Sequence, residues 1–386
     1  QRNSHPISSE WSSFADAGNI PVVAGGKDYA YLHNESNRPQ GCITISAFGA
    51  NSGFVNYWDV PIWASDCVTL KSKDEDKYLT KFLYYALRLI QSDIYLLQKG
   101  SDQPHIYASD IQYIKVPAVS VPIQKKALAE AHAIEKEIET IESSIKKNGE
   151  IIDDVFNREF RFAMDEFNRT KQAKRFSANY RTLSNNADLR FSAKFHRDSG
   201  NFVMQELMNR TDKKIKHYLA EPIVLGASVS PSDYSDDGEF CYISMATIKN
   251  WKFDLESAST VSKEYSDSKQ AKTVRKNDII LARSGEGTIG KVALIDDDEL
   301  QGVFADFTMR IRLKDYNPEF AYYYFRTTYI QYLIEIYKRG LGNNTNIFPI
   351  VVREFPMLDI SLEEQQRIVD KIHAEIAKQD EIKKQI

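Results

Sequence analysis

The 386-residue chain has three cysteines, Cys42, Cys67 and Cys241, odd in number and far apart. That count excludes a disulfide scaffold and fits reduced, mostly buried thiols in a cytoplasmic protein. No apolar run reaches the roughly 18 residues needed to cross a bilayer. Gln1 to Glu10 is polar and has no apolar core segment, so it does not read as a secretory signal. Neither charge sign dominates: the net charge is -4, which argues mildly against nucleic acid but says nothing of a local basic surface. Catalytic signatures are missing too. There is no H-E-x-x-H, C-x-x-C, G-x-S-x-G or P-loop pattern, and no Asn-Pro-Pro-Tyr-like tetrapeptide of an adenine methyltransferase. The seven histidines form no close cluster, and the acidic runs Asp153-Asp154 and Asp296-Asp297-Asp298 read as solvated surface, so no metal or cofactor is expected. The chain does not open on Met, which is expected of a trimmed or excised fragment.

What is present is a duplication about 240 residues apart. Ile43 to Gly49 leads into Gly53-Phe54-Val55, and Ile279 to Gly285 leads into Gly290-Lys291-Val292. Asp66 after Trp63-Ala64-Ser65 answers Asp306 after Phe304-Ala305. Phe82 to Leu87 answers Phe320 to Phe325, Gly100 answers Gly340, Ile106 answers Ile347, and Pro117 answers Pro356. Each copy then runs into a Gln-led helical pattern, at Gln124 and at Gln365-Gln366. The period is too long for a solenoid and describes two copies of one domain, each followed by a helix. Two like domains suit a ligand with two separated sites.

The first copy occupies 1–121, with strands expected at Ile20–Val23, Cys42–Phe48 and Cys67–Leu70, a helix at Tyr78–Leu97 and an extended piece at Ile111–Val116. It looks short at its start beside the second copy. Residues 122–168 form one spacer helix, opened by Pro122, with a seam at Ile134, Ile138, Ile141 and Ile145 and a bend at Gly149. Residues 169–188 are polar and read as a linker. The second copy occupies 189–360, with a helix at about Asn201–Asn209, strands at Phe240–Met245, Asp278–Ala282, Lys291–Ile295 and Thr308–Leu313, and a helix at Pro318–Lys338. A distal spacer helix, 361–386, starts at Ser361 with Glu363 and Glu364 in its first turn and is expected to be truncated. The fold class is therefore α+β: two similar domains with mixed sheet and helix cores, joined by long antiparallel coiled-coil-like helices in a pseudo-two-fold dumbbell.

Three loop pairs carry candidate chemistry. Gly285-Glu286-Gly287-Thr288-Ile289-Gly290 matches G-x-G-x-x-G, but Lys291 to Ile295 reads as a strand where a dinucleotide site needs a helix N-terminus. A glycine-rich hairpin is the reading, and its counterpart holds Ser46, Phe48, Asn51 and Ser52. Such a turn lets backbone approach a large ligand, and Arg283, Ser284, Thr288 and Lys291 can reach phosphate or base edges. The second pair is Lys99, Ser101, Gln103 and His105 against Arg339, Asn343, Asn344, Thr345 and Asn346. Singly, each is a polar turn; their recurrence raises a binding role, since Gln and Asn suit adenine while Arg and Lys suit guanine or phosphate. The third pair is Lys27, Tyr29 and Tyr31 against Lys249, Asn250 and Trp251. Taken one at a time these read as surface packing, and their rings beside lysines can also stack on nucleotides.

The order of glycine hairpin, Trp63-Ala64-Ser65-Asp66, Tyr-rich helix, Gly-Ser-Asp-Gln-Pro-His-Ile loop, Val-Pro exit and Gln124 helix resembles the DNA specificity subunit of type I restriction–modification systems. The second copy, ending Phe355-Pro356-Met357 and Ser361 to Ile368, is similar to it as well. The resemblance covers nearly the whole chain and extends to specificity modules of fused type IIG and IIB enzymes. It implies two target recognition domains, each reading half of an asymmetric bipartite site in double-stranded DNA, in a non-catalytic cytoplasmic subunit without cofactor or metal. Methyltransferase (M) subunits would dock on the spacer helices and a restriction/motor (R) subunit would complete the complex, with no membrane partner. Two alternatives stay open at this point: the C-terminal specificity part of a single-chain restriction–modification enzyme, and a tandem-domain scaffold that does not bind DNA.

Overall fold

The computed structural model describes residues 18–100, 102–181, 190–238 and 240–386. The chain divides into two compact units, Gln1–Ser143 and Ser144–Ile386.

Unit 1 carries strands β1 (Ile20–Val23), β2 (Tyr31–His33), β3 (Cys42–Ser46), β4 (Val55–Trp58), β5 (Trp63–Ala64) and β6 (Cys67–Leu70). They form two small sheets, ordered β2-β1-β5 and β4-β3-β6. β3 is fully buried and pairs antiparallel with both neighbours, Ile43 facing Tyr57 and Leu70. Its Ile43-Thr44-Ile45-Ser46 run alternates apolar and hydroxyl side chains, and the buried Thr44 hydroxyl accepts from the Trp58 indole N–H at 2.8 Å. Helices α1 (Thr80–Leu89), α2 (Gln91–Tyr95) and α3 (Ala108–Ile111) follow, then the long α4 (Val121–Ser144). Ile43, Ile45, Val55, Leu87, Ile94, Ile106 and Ile111 make the core.

In unit 2 come α5 (Asn148–Phe160), α6 (Met164–Gln172), α7 (Asp198–Met208), β7 (Val224–Leu225), β8 (Phe240–Ile243), β9 (Ile248–Lys249), β10 (Lys252–Phe253), β11 (Ser259–Val261), α8 (Lys263–Ser268), β12 (Ile279–Ala282), β13 (Val292–Leu294), β14 (Gly302–Phe304) and β15 (Thr308–Ile311). Helices α9 (Pro318–Arg326), α10 (Thr328–Tyr337), α11 (Pro349–Val352) and α12 (Leu362–Lys383) close it. β12 is central in the sheet β13-β12-β15-β7, as β3 is in β4-β3-β6. The large core is aromatic: Phe156 of α5 lies 5.3 Å from Phe320 and 5.9 Å from Tyr324, ring centroid to centroid. At the start of β12 the fully buried Asp278 is held by both guanidinium arms of Arg312, each at 2.7 Å, so its charge is paired where water is absent. The mixed sheets and helices of both units give the α+β class expected.

Two segments differ from the sequence reading. The helix expected over 122–168 is three helices. It stops after Ser144, where the Lys146 N–H is taken by Gln379 Oε1 (2.9 Å) and the Lys147 N–H by Glu150 (3.1 Å), and again at Arg161, left-handed with φ 51°. These caps supply the partners that helix ends lack. Each aromatic helix also breaks into two, at Ile90 and at Thr327; the second break is fixed by Asp153, which accepts from the Thr328 N–H (2.7 Å) and hydroxyl (2.5 Å). Burial raises the pKa of Asp153, and the two Thr328 bonds oppose that rise. The extended piece expected at Ile111–Val116 is the end of α3 followed by irregular chain.

Candidate nucleic-acid interface

In unit 1 the β3–β4 turn passes through Gly49 and Gly53, at φ 81° and 91°. A Cβ on Gly53 would stand 3.1 Å from Ile106 Cδ1 and 3.2 Å from Tyr95 Cδ1, so position and backbone both require glycine. The Gly53 N–H closes the turn on Ser46 O (2.7 Å). The 99–105 loop is cinched by two bonds between Lys99 and His105 (2.9 and 2.8 Å) around Gly100. The structure then joins the two loops: Gly49 N–H donates to Pro104 O (3.0 Å) and Ile106 N–H to Ala47 O (3.1 Å).

Unit 2 repeats this bond for bond. Gly290 N–H donates to Ala282 O (2.8 Å), Arg339 and Asn346 exchange two bonds (2.8 and 2.7 Å), Gly285 N–H reaches Thr345 O (3.2 Å), and Ile347 N–H reaches Arg283 O (2.9 Å). One glutamine braces each turn: Gln91 Nε2 donates to Gly53 O and Gln331 Nε2 to Gly290 O, both at 2.8 Å. Sequence reasoning passed over these two residues. Their signal was a Gln just beyond the aromatic helix in both copies. The Gly285–Gly290 turn runs straight into β13, antiparallel to β12, which leaves no helix N-terminus for a pyrophosphate.

The two loops of a unit therefore form one surface, and its side chains sort by exposure. Ser46, Ser52, Ser284 and Thr345 are buried, so these four candidates do not reach outward. Ser46 donates to Gly26 O (3.4 Å) and Ser284 to Thr345 O (3.2 Å). Thr288 is turned inward as well, donating to Ser284 O at 2.7 Å. The hydroxyls of Ser46, Ser284 and Thr288 thus satisfy backbone carbonyls, whereas those of Ser52 and Thr345 are buried without a hydrogen-bond partner. Lys291 is half-buried at the hairpin return, its N–H on Thr288 O (3.0 Å). Ser101 and the side chain of Asn343 lie outside the described residues.

The outward chemistry of the two surfaces differs. In unit 1 Phe48, 41% exposed, meets the His105 ring edge-on at 4.7 Å. His105 stacks on the exposed Tyr107 at 6.2 Å, and Lys99 lies 5.8 Å from the Tyr107 ring centroid while pairing with Asp110 at 2.9 Å. Gln103 is exposed and Asn51 half-buried. In unit 2 the Arg283 guanidinium donates to Asp306 O (2.8 Å) and Asn346 Oδ1 (3.0 Å) and lies 5.9 Å from the exposed Phe307 ring. Asn346 also donates to Asn344 O (3.1 Å), so its amide holds the loop and Arg283 in place. Arg339 and Asn344 are exposed. Phe307 and Tyr107 are further members that sequence reading did not single out, and Asp306 was read there only as a landmark of the duplication.

The third pair divides. In unit 1 Lys27 and its neighbours border the hairpin: Asn56 Nδ2 donates to Lys27 O (3.1 Å), and Lys27 Nζ lies 5.7 Å from the Phe54 ring. Tyr29 is 46% exposed and Tyr31 half-buried in β2. In unit 2 Lys249, Asn250 and Trp251 are not brought to the Arg283 surface. Asn250 and Trp251 are both left-handed (φ 49° and 65°), the two-residue turn of the β9–β10 hairpin. Arg326 lies over the Trp251 ring at 5.3 Å, and the Tyr322 hydroxyl binds Trp251 O at 2.6 Å. Lys249 pairs with Asp254 at 2.6 Å and holds that carboxyl below the usual range. Among the described residues no group of three or more His, Cys, Asp or Glu side chains is placed to hold a metal ion.

The type I restriction modification DNA specificity domain model matches residues 2–150 and 223–386. The chain belongs to this family. All the candidate residues fall inside the two matched segments of the specificity domain. A type I specificity subunit of Mycoplasma genitalium (strain ATCC 33530) is 26% identical over 161 residues, which is 41% of each protein, so the match spans about two fifths of that relative's length. The crystal structure of a type I system S subunit from M. genitalium shares 16% identity at a TM-score of 0.42, covering 100% of this chain and 88% of that one. A chain solved in a study of complex assembly and conformational transition of the type I R-M system shares 13% at 0.47, covering 92% and 83%. The HsdS subunit of Thermoanaerobacter tengcongensis shares 12% at 0.39, covering 90% and 75%.

Proposed function

We propose that this chain reads DNA sequence for a type I restriction–modification system, each unit contacting one half of an asymmetric bipartite target. One observation carries the reading. The same bonded loop pair is built twice on the same backbone frame, while each loop differs by one residue in length and in its outward side chains. A scaffold that must read two different half-sites needs a constant frame and variable tips. In this account 1–121 and 189–360 are target recognition domains, 122–168 (broken into α4, α5 and the start of α6) and 361–386 supply the spacer, and 169–188, which opens with the end of α6, is a linker. Phe48, Gln103 and His105 face one half-site; Arg283, Arg339 and Asn344 face the other, where a guanidinium suits guanine and an amide suits adenine. Lys27, Lys99 and Lys291 supply phosphate contacts.

Catalysis then belongs to partners. The chain positions cytoplasmic methyltransferase subunits, docked on its spacer helices, over an adenine that they flip from the stack. A restriction subunit joins the same complex for cleavage. The test is a mobility shift of the full chain on random duplex DNA over a salt series. Binding that weakens steeply as salt rises fits the reading, since phosphate contacts release counterions. No binding at low salt rejects it.

A further inference from the structure

The repeated frame holds one exposed ring at the same place in both units. Counting from the bonded Ile106 and Ile347, Tyr107 corresponds to Phe348. Their backbones are nearly the same, φ -112° and ψ 148° for Tyr107 against φ -115° and ψ 148° for Phe348. Each opens the short helix that follows, α3 or α11. Each carbonyl accepts the N–H groups three and four residues on: Asp110 and Ile111 (2.9 and 3.3 Å) in unit 1, Val351 and Val352 (2.9 and 3.1 Å) in unit 2.

The residues on either side are anchored. Ile106 and Ile347 are buried and bonded to the glycine hairpin of their own unit, and Ile111 and Val352 are buried as well. Between these anchors the ring is turned out, 47% exposed for Tyr107 and 40% for Phe348. A single exposed ring is ordinary surface. Here one recurs, in one backbone geometry, on two surfaces whose other outward residues differ: Phe48, Gln103 and His105 in unit 1, Arg283, Arg339 and Asn344 in unit 2.

A bipartite target changes its bases from one half to the other and repeats its sugars and phosphates. A phosphate asks for a cation or an N–H donor, and a ring offers neither. Tyr and Phe share a ring and not a hydroxyl, so the contact they have in common is apolar. The base faces of a closed duplex are covered by their neighbours, and the apolar face of the deoxyribose is what remains.

We propose that Tyr107 and Phe348 are the sequence-neutral contacts of the two surfaces, each laying its ring on a deoxyribose at the edge of its half-site. The ring sets how far each loop stands from the DNA backbone, and with it the reach of Gln103 and His105, or of Arg339 and Asn344, toward base edges. The inference rests on the reading of the chain as a DNA specificity subunit.

The test is a mobility shift of the full chain over a salt series, on a duplex carrying the motif it selects and on a duplex with that motif scrambled. Tyr107→Ala and Phe348→Ala are expected to weaken both duplexes by the same factor, roughly fivefold or more, because apolar area is lost. The slope of log Kd against log salt is expected to stay unchanged, since a ring displaces no counterion. Tyr107→Phe and Phe348→Tyr are expected to bind like the wild type. Unfolding midpoints are measured alongside; if an Ala variant is destabilised, Tyr107→Leu or Phe348→Leu, which keeps an apolar side chain and lacks the flat ring, takes its place with the same expectation. Weakening confined to the motif duplex would mean a base contact, a shallower salt slope a phosphate contact, and a loss in Tyr107→Phe a hydroxyl contact. Each of these, or wild-type binding by every variant, overturns the proposal and leaves the DNA reading standing. No binding by the wild-type chain at low salt rejects the DNA reading itself, and the proposal with it.

Discussion

Gln365 Oε1 accepts the Asn317 N–H at 2.7 Å, and Gln124 Oε1 accepts the Leu79 N–H at 2.8 Å. Both glutamines are fully buried, and each ties the first turn of its spacer helix to the start of the aromatic helix of its own unit. A part-buried N–H and a part-buried carbonyl lose their partners if either amide goes. Gln124→Ala and Gln365→Ala should each cost about 1–3 kcal/mol of stability, read as a lower urea midpoint. A loss below a few tenths of a kcal/mol in both would show that water replaces the amide and that the bond is no anchor.

Arg283 and Asn346 act as one element on the unit 2 surface, the guanidinium holding the amide oxygen at 3.0 Å. Arg283→Ala and Asn346→Ala should each weaken DNA binding, and the double variant should fall short of the sum by roughly 0.5–3 kcal/mol, because the first substitution already frees the second group. The measurement is a double-mutant cycle of dissociation constants at fixed salt. Additive effects would mean two independent contacts.

Much of this was legible in the sequence, and what was missed has physical reasons. Glycines at positive φ, a prolyl exit and a Gln at the helix start are each tied to one backbone task, so the duplication and both loop pairs stood out by residue type. The break at Ile145–Lys147 stood out only as a bend at Gly149, and the one at Thr327 not at all, because their caps come from Gln379 and Asp153, far away in sequence. Nor did the burial of Ser52 and Thr345, since a small hydroxyl looks alike in a solvated loop and in a packed turn. Trp251 was grouped with the interface by its lysine neighbours, whereas Arg326, on a helix some 75 residues later, decides where its ring lies.

Glu354 accepts from Lys216 and Lys214, both at 2.9 Å, and these bonds hold its carboxyl down at about 2. Its ordinary value is near 4.3. A depressed folded pKa stabilises the fold above the unfolded value, and that contribution is lost as pH falls toward 2. Glu354 is partly exposed, so the effect is modest. Glu354→Gln should be less stable than the parent at pH 6, with the gap narrowing steadily between pH 4.5 and 2.5. Urea unfolding across that range checks it, and a gap independent of pH would contradict it.

The claim that the two loop surfaces read separate half-sites is tested most directly by selecting bound duplexes from a random pool with the full chain and with its His105→Ala and Arg283→Ala variants. The account predicts a bipartite motif with an unread gap, in which each variant relaxes only one half, by about 1–3 kcal/mol where a bidentate base contact is lost. One variant blurring both halves, or a selected motif without a gap, would contradict it.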